Sequence, residues 1–146
     1  MSSVDREPNL IADVQKLMSR VDALERSTTG HAVSSQGTPP TFTIGGPAGV
    51  GAGGLLTLAT DVAGQIDVTT GAGAAAGIII TVSFAVTYPN APHIVLVPYN
   101  GNAADALGRE EVFPVSSILG FDINSTNGLD DTTTFQWIYH VIEGRN

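Results

Sequence analysis

Five apolar residues near the N-terminus are spaced by alternating steps of four and three residues. They are Leu10, Val14, Leu17, Val21 and Leu24. This spacing is the heptad repeat of a coiled coil, with valine at the a positions and leucine at the d positions. It predicts a helix over residues 8–26, about 28 Å long at 1.5 Å per residue. Because helix nucleation is costly, an isolated helix of this length is marginal in water, and we expect it to need partners.

The apolar stripe of this helix is wider than a bare heptad seam. Ile11 and Met18 lie beside the seam at e positions, so the stripe suits three chains as well as two. The alternative is that the stripe packs on the chain's own β domain, as most amphipathic helices do. The strict period, the charged remaining positions and the SSQGTPP segment that follows favour self-association instead.

The hexapeptide RVDALE, residues 20–25, places opposite charges on the two sides of the seam. Arg20 falls at a g position and Glu25 at an e position, where neighbouring helices form ion pairs. The hexapeptide resembles the R-h-x-x-h-E pattern of short parallel three-stranded coiled coils. That resemblance implies an arginine stem over the core, with its guanidinium on the glutamate of the next chain.

Valine at a with leucine at d favours a dimer, so the two cues conflict. We predict a homotrimer. Its predicted interface consists of Leu10, Ile11, Val14, Leu17, Met18, Arg20, Val21, Leu24 and Glu25.

Composition limits the rest of the chain to one modest domain. Of 146 residues, 42% are apolar and 14% charged, and 17 glycines and 8 prolines favour short strands and turns. Without cysteine, disulfides and thiolate metal sites are excluded. There is no apolar run near the roughly 18 residues of a membrane span and no signal-peptide pattern. We expect a soluble protein that is made in the cytoplasm and does not insert into membranes.

Basic residues are nearly absent beyond the helix. From residue 31 onward only Arg109 and Arg145 face nine acids, and lysine is missing. Nucleic-acid binding requires clustered lysine and arginine to displace counterions from phosphates. We therefore predict no nucleic-acid partner.

The pattern divides the chain into a coiled-coil helix over residues 1–29, a Gly/Pro/Ser-rich linker over 30–54 and a β-sandwich domain over 55–146. The glycine-rich stretch GGPAGVGAGG is either a flexible spacer or backbone forced close to a symmetry partner. No Lys-Ser/Thr pair follows it, so it is not a phosphate-binding loop.

Beyond residue 54 apolar and polar residues alternate with period two. This predicts seven strands, over residues 55–60, 65–70, 78–84, 93–98, 111–116, 120–124 and 133–142. Short strands separated by turns rich in Gly, Pro, Asn and Asp predict a mainly β fold, an antiparallel β-sandwich. The last strand, TFQWIYHVI, is apolar on both faces, so we place it centrally or in a subunit interface.

The sequence predicts no catalytic site, cofactor or metal. No Ser-x-His arrangement surrounds His31, His93 or His140, so we expect structural or surface roles for them. The segment DINSTNGLDD, residues 122–131, invites comparison with a calcium loop. It misses the EF-hand spacing by one residue, lacks the late glutamate, and contains an Asn-Gly pair equally typical of a hairpin, so we predict a turn.

Tyr99, Asn100 and Asn102, in the segment PYNGNAADALG, are candidate ligand-binding residues. One aromatic face and several amides suit sugar hydroxyls, and Asp105 and Arg109 lie close in sequence. The alternative, which we favour, is a solvated loop between strands.

The β region resembles a known viral domain. The stretch TDVAGQIDVTTGAGAAAGIIITVSFAVTYPNAPHIVLVPYN, followed by GFDINS and TFQWIYHVI, is similar to a β-sandwich at the C-terminal end of tail-fibre and minor tail proteins of tailed bacteriophages. The shared features are an AGQI-x-VTTG strand and turn, a TVSF-like strand, a Y-x-x-A-P turn before V-x-L-x-P, and a final F-x-W-x-Y-like strand. The resemblance covers residues 60–142. This chain lacks the repetitive shaft of long fibres.

The resemblance implies a trimeric virion protein on the external surface of the particle, in the tail. Its role there would be tail assembly or host-surface attachment, by binding and without turnover, with other virion proteins and a host-surface glycan as partners. A capsid decoration protein or head fibre is the alternative within this class, and a carbohydrate-binding module is the alternative outside it. A glycan hydrolase is the least favoured.

Overall fold

The computed structural model describes residues 7–28, 38–109 and 111–143, and the side chains of residues 9–21 within the first helix. The chain divides into two compact units, Met1–Val33 and Ser34–Asn146. Helix α1, Glu7–Thr28, forms the first unit and agrees with the predicted helix to within two residues at each end. Pro8 lies in its first turn, where a missing N–H leaves no helical hydrogen bond unmade.

The second unit is mainly β, with two antiparallel sheets of four strands each. The strands are β1 Thr41–Ile44, β2 Gly53–Thr57, β3 Ala63–Thr69, β4 Gly77–Ser83, β5 His93–Pro98, β6 Val112–Ser117, β7 Gly120–Ser125 and β8 Thr134–Ile142. The first sheet has the order β1-β4-β7-β6 and the second β2-β3-β8-β5. Helix α2, Gly101–Gly108, connects β5 to β6.

The two sheets pack face to face around one core, because alternate residues of each strand point inward. In the first sheet Val82 pairs with Phe121, and in the second Ile66 pairs with Trp137; all four side chains are at most 2% exposed. Phe121 and Tyr139 join the two sheets, with ring centroids 5.2 Å apart.

All seven predicted strands are present, and the aromatic strand β8 is central, between β3 and β5. The eighth strand, β1, was not predicted. It lies in the region assigned to the linker, residues 30–54, where TFTI is only four residues long and is followed by glycines. Its pairing with β4, from Thr41 opposite Ser83 to Ile44 opposite Ile80, is a long-range contact that local pattern does not reveal.

The glycine-rich stretch after β1 brings backbone close to the chain's own strands. The Gly45 amide donates to the Ile79 carbonyl at 2.9 Å, and a Cβ at Gly45 would lie 1.9 Å from the Ile78 carbonyl oxygen. At Gly71 a Cβ would lie 2.0 Å from the Val50 carbonyl oxygen. The glycine-rich stretch therefore brings backbone close to backbone, as one of its two interpretations predicts. The described contacts are within one chain, and not with a symmetry partner.

Two further predictions need correction. The segment 101–108, predicted as a solvated loop, is helix α2, which is too short for its periodicity to be recognised from sequence. The turn predicted within residues 122–131 is present, with Gly128 at a φ of 86°. It connects β7 of the first sheet to β8 of the second, so it is not a hairpin.

Candidate functional site

The predicted oligomer interface on α1 presents its apolar side chains to solvent. The described members, Leu10, Ile11, Val14, Leu17, Met18 and Val21, are each between 43% and 64% exposed. Fully burying a side chain of this kind is worth roughly 1.5–3 kcal/mol. The helix therefore carries a continuous apolar stripe whose burial would stabilise it.

The charged members of that interface are described only in part. Arg20 is exposed on the helix surface. The side chains of Leu24 and Glu25 lie outside the described residues, so pairing between Arg20 and Glu25 of the next chain stays a prediction.

The side-chain amides of Asn100 and Asn102 in the candidate ligand-binding loop form hydrogen bonds that hold the local structure together. The Asn100 Oδ1 accepts from the backbone N–H of Ala103 at 2.9 Å, which caps α2, and from the N–H of Gln136 at 3.3 Å. Its Nδ2 donates to the Thr134 carbonyl at 2.9 Å, as does the Nδ2 of Asn102 at 3.0 Å. Side-chain capping of this kind stabilises a helix by about 1 kcal/mol.

Tyr99 has a different environment from these amides. It lies directly after β5, and 60% of its surface is exposed. Tyr99 and Asn102 are exposed and Asn100 is half-buried, and ligand binding by the loop stays a prediction.

Arg109 is surrounded by carboxylates at the end of α2. Its Nη2 lies 3.2 Å from Asp105, 3.3 Å from Glu111 and 3.8 Å from Asp130. The Arg109 side chain is 45% exposed, and exposed ion pairs are worth at most about 1 kcal/mol each. The cluster thus holds the α2–β6 connection near the β7–β8 loop and leaves the arginine little free charge for an anionic ligand.

Two aspartates stabilise loops by accepting backbone N–H groups. Asp61 accepts from Ala85 and Val86, both at 2.8 Å. Asp131 accepts from Gly73 at 3.0 Å and from Ala74 at 2.8 Å. These two hydrogen bonds, that from Gly73 most of all, lower the pKa of Asp131.

Tyr139 is a core residue with its hydroxyl fixed. Its O–H donates to the Thr60 carbonyl. Burial, followed by the charge of Asp61, raises the pKa of the Tyr139 phenol far above its usual value, so the group stays protonated and acts as a donor.

Two of the three histidines lie among the described residues. His93 and His140 are exposed on the outer face of the second sheet, opposite Ile142 and Val95 respectively, and His31 lies outside the described residues. Within residues 7–28, 38–109 and 111–143, no three His, Cys, Asp or Glu side chains are grouped to hold a metal ion.

A surface that the sequence did not single out lies at the β1/β2 side of the sandwich. Pro40, Phe42, Leu55 and Leu58 are among the residues that line an open groove of about 570 Å³ there. The sequence does show two apolar segments without charge, TFTI and GGLLTL, which contribute to this groove. Local sequence pattern does not predict that β1 and β2 lie next to each other.

Among the described helices, neither is long and apolar enough to cross a membrane. No protein-family model, no curated protein and no solved structure matches the chain.

Proposed function

We propose that this chain is a structural virion protein of a tailed bacteriophage, a trimeric tail-fibre or minor tail component. In this proposal α1 joins three copies, and each β-sandwich is displayed from the common bundle. The protein acts by binding, during tail assembly or host-surface attachment.

The observation that carries the proposal is the pairing of an exposed heptad stripe with a self-contained sandwich. The α1 stripe is 43–64% exposed at each described apolar position, whereas the sandwich has a core of its own. Such a division suits a protein that uses one unit for assembly and the other for contact. Three linked sandwiches would also bind a repetitive surface more tightly than one, since weak sites reinforce each other when they are joined.

Electrostatics favour a protein or glycan partner over a nucleic acid. Arg109 is the basic residue of the described part of the second unit, and three carboxylates lie within 3.8 Å of it. Phosphate backbones are bound by clusters of free lysine and arginine.

Immunogold electron microscopy on particles of the phage that encodes the chain tests the assignment. An antibody raised against the purified protein is expected to label the tail in clusters. Labelling of the capsid would instead support the decoration protein or head fibre. Absence of the protein from purified particles would contradict a virion role.

A glycan array probed with the full-length protein tests the proposed attachment role. Binding that is lost in Tyr99→Ala and retained in Phe113→Ala would locate a sugar site at the exposed aromatic residue after β5. Phe113 is a suitable control, because it is a 44% exposed aromatic residue on β6.

A further inference from the structure

The outer face of the second sheet carries a row of side chains that combines apolar and polar groups. Leu55 of β2 pairs with Asp67 of β3, and Asp67 pairs with Gln136 of β8. The row continues just past the end of β5, where the Tyr99 amide donates to the Gln136 carbonyl at 2.8 Å. Residues that are directly opposite each other share a face of a sheet. These four side chains, which we call the Tyr99 row, therefore lie side by side across the strands.

Apolar surfaces stand at the two ends of the Tyr99 row. Tyr99 is 60% exposed and Leu55 is 55% exposed. Since neighbouring strands are about 4.8 Å apart, the row extends over roughly 14 Å. An exposed tyrosine offers a flat apolar ring with a polar hydroxyl, and a sugar ring likewise has C–H groups on its faces and hydroxyls at its edge. The two ends therefore suit the faces of sugar rings, and the row is longer than one ring.

The centre of the row supplies hydrogen-bonding groups that are held in place and still free to bind. The Gln65 Nε2 donates to the Asp67 Oδ1 at 2.8 Å, which orients the carboxylate. Within the described part of the chain, the Asp67 Oδ2 and the side-chain amide of Gln136 have no protein hydrogen-bond partner. A carboxylate accepts from hydroxyls, and an amide both donates and accepts. Because both side chains are half-buried on paired strands, they offer these bonds at fixed positions.

The charge around the row favours a neutral ligand over an anionic one. Asp67 is the charged member of the row, and it is negative. Arg109, the basic residue of the described part of the second unit, lies within 3.8 Å of three carboxylates. His93 and His140 are on the same face but in separate rows. An anionic sugar would therefore meet repulsion from Asp67 without a free arginine or lysine to offset it.

We propose that the Tyr99 row is a binding site for a neutral oligosaccharide, with sugar faces packed on Tyr99 and Leu55 and sugar hydroxyls bonded to Gln136 and Asp67. The inference rests on the proposed attachment role and names the class of ligand for it. The Asn100 amide, which bonds to the backbone of its own chain, holds the loop in place instead of contacting the sugar.

A glycan array with neutral and acidic oligosaccharides tests the site in the full-length protein, and calorimetric titration with the strongest array ligand gives the affinities. Gln136→Leu removes the amide and keeps a side chain of similar size. His140→Leu is the matched control, because His140 is exposed on the same face of the same strand in a different row. Urea unfolding, followed by the fluorescence of the buried Trp137, checks that each variant is folded.

The proposal predicts binding to neutral glycans that is roughly fivefold weaker in Gln136→Leu, as expected for the loss of one hydrogen bond, and unchanged in His140→Leu. Asp67→Asn should also raise binding to acidic glycans relative to neutral ones, because it removes the repelling charge. A merely structural role of Asp67 would not produce that shift.

Three results would overturn the site: equal affinities of Gln136→Leu and His140→Leu, a preference of the parent for acidic glycans, or no glycan binding by the folded parent. Immunogold labelling of phage particles separates these failures from a failure of the virion role, because labelling does not depend on glycan binding.

Discussion

Helix α1 and the core of the β-sandwich differ in the solvent exposure of their apolar side chains. Each described apolar residue of the α1 stripe is between 43% and 64% exposed, whereas the buried apolar residues described in the core of the sandwich are at most 8% exposed. The sandwich therefore builds a buried apolar core within one chain, whereas α1 leaves each described member of its stripe exposed within its own unit. In the proposed trimer, the stability of the sandwich and the assembly of the protein would therefore be controlled by separate residues.

The largest effect is expected from a charge in the α1 stripe. Leu17→Asp would place an unpaired carboxylate at a d position in each of three helices, and burying such charges costs several kcal/mol each. We expect complete loss of assembly, measured as a fall in mass by light scattering. Ser19→Asp is the control, since it adds the same charge at an f position on the opposite face of the same helix. Equal masses for Leu17→Asp and Ser19→Asp would contradict the proposal that the α1 stripe holds the copies together.

The next largest effect is expected from the core of the sandwich. Phe121 is 2% exposed, and its ring lies 5.2 Å from that of Tyr139. Phe121→Ala should lower the free energy of unfolding by about 3–5 kcal/mol, while Phe113→Ala on the outer face should change it by about 0.5 kcal/mol or less. The fluorescence of Trp137, the single tryptophan, reports urea unfolding from a fully buried position. Similar losses for the two variants would contradict the assigned core.

A smaller effect is expected at two adjacent glycines. A Cβ at Gly45 would lie 1.9 Å from the Ile78 carbonyl oxygen, while a Cβ at Gly46 meets nothing within 4 Å. Gly45→Ala should destabilise the sandwich by about 2 kcal/mol through the forced backbone shift, and Gly46→Ala should be neutral or gain up to about 1 kcal/mol. Urea unfolding of both variants makes the measurement. Equal tolerance at the two positions would show that this stretch is a spacer.

Part of the fold and of the candidate site could be predicted from the sequence alone. Alternation located seven strands, because one buried face imposes a period of two on each. Strand β1 and the groove beside it were missed, since both depend on contacts between residues such as Phe42 and Val82 that are far apart in the chain. Helix α2 was missed because eight residues are too few to show a period. The α1 stripe was the part of the candidate site that local spacing could reveal.

The smallest effect is expected from acid. The pKa of Asp131 is lower in the folded state than its unfolded value of about 3.9. Its contribution to stability is therefore present above that value and is lost as the pH falls through the lower, folded-state pKa. Asp131→Asn should be less stable than the parent at pH 7, and the difference should shrink below about pH 4. A difference in urea midpoint that is the same at pH 7 and pH 2 would contradict the role of the carboxylate in holding Gly73 and Ala74.

The central claim is that α1 is stabilised by copies of itself. Sedimentation equilibrium of the unmodified protein, over a wide range of concentration, tests this claim most directly. The account predicts a species of three times the 15.0 kDa chain mass. A single-chain mass at every concentration would contradict it.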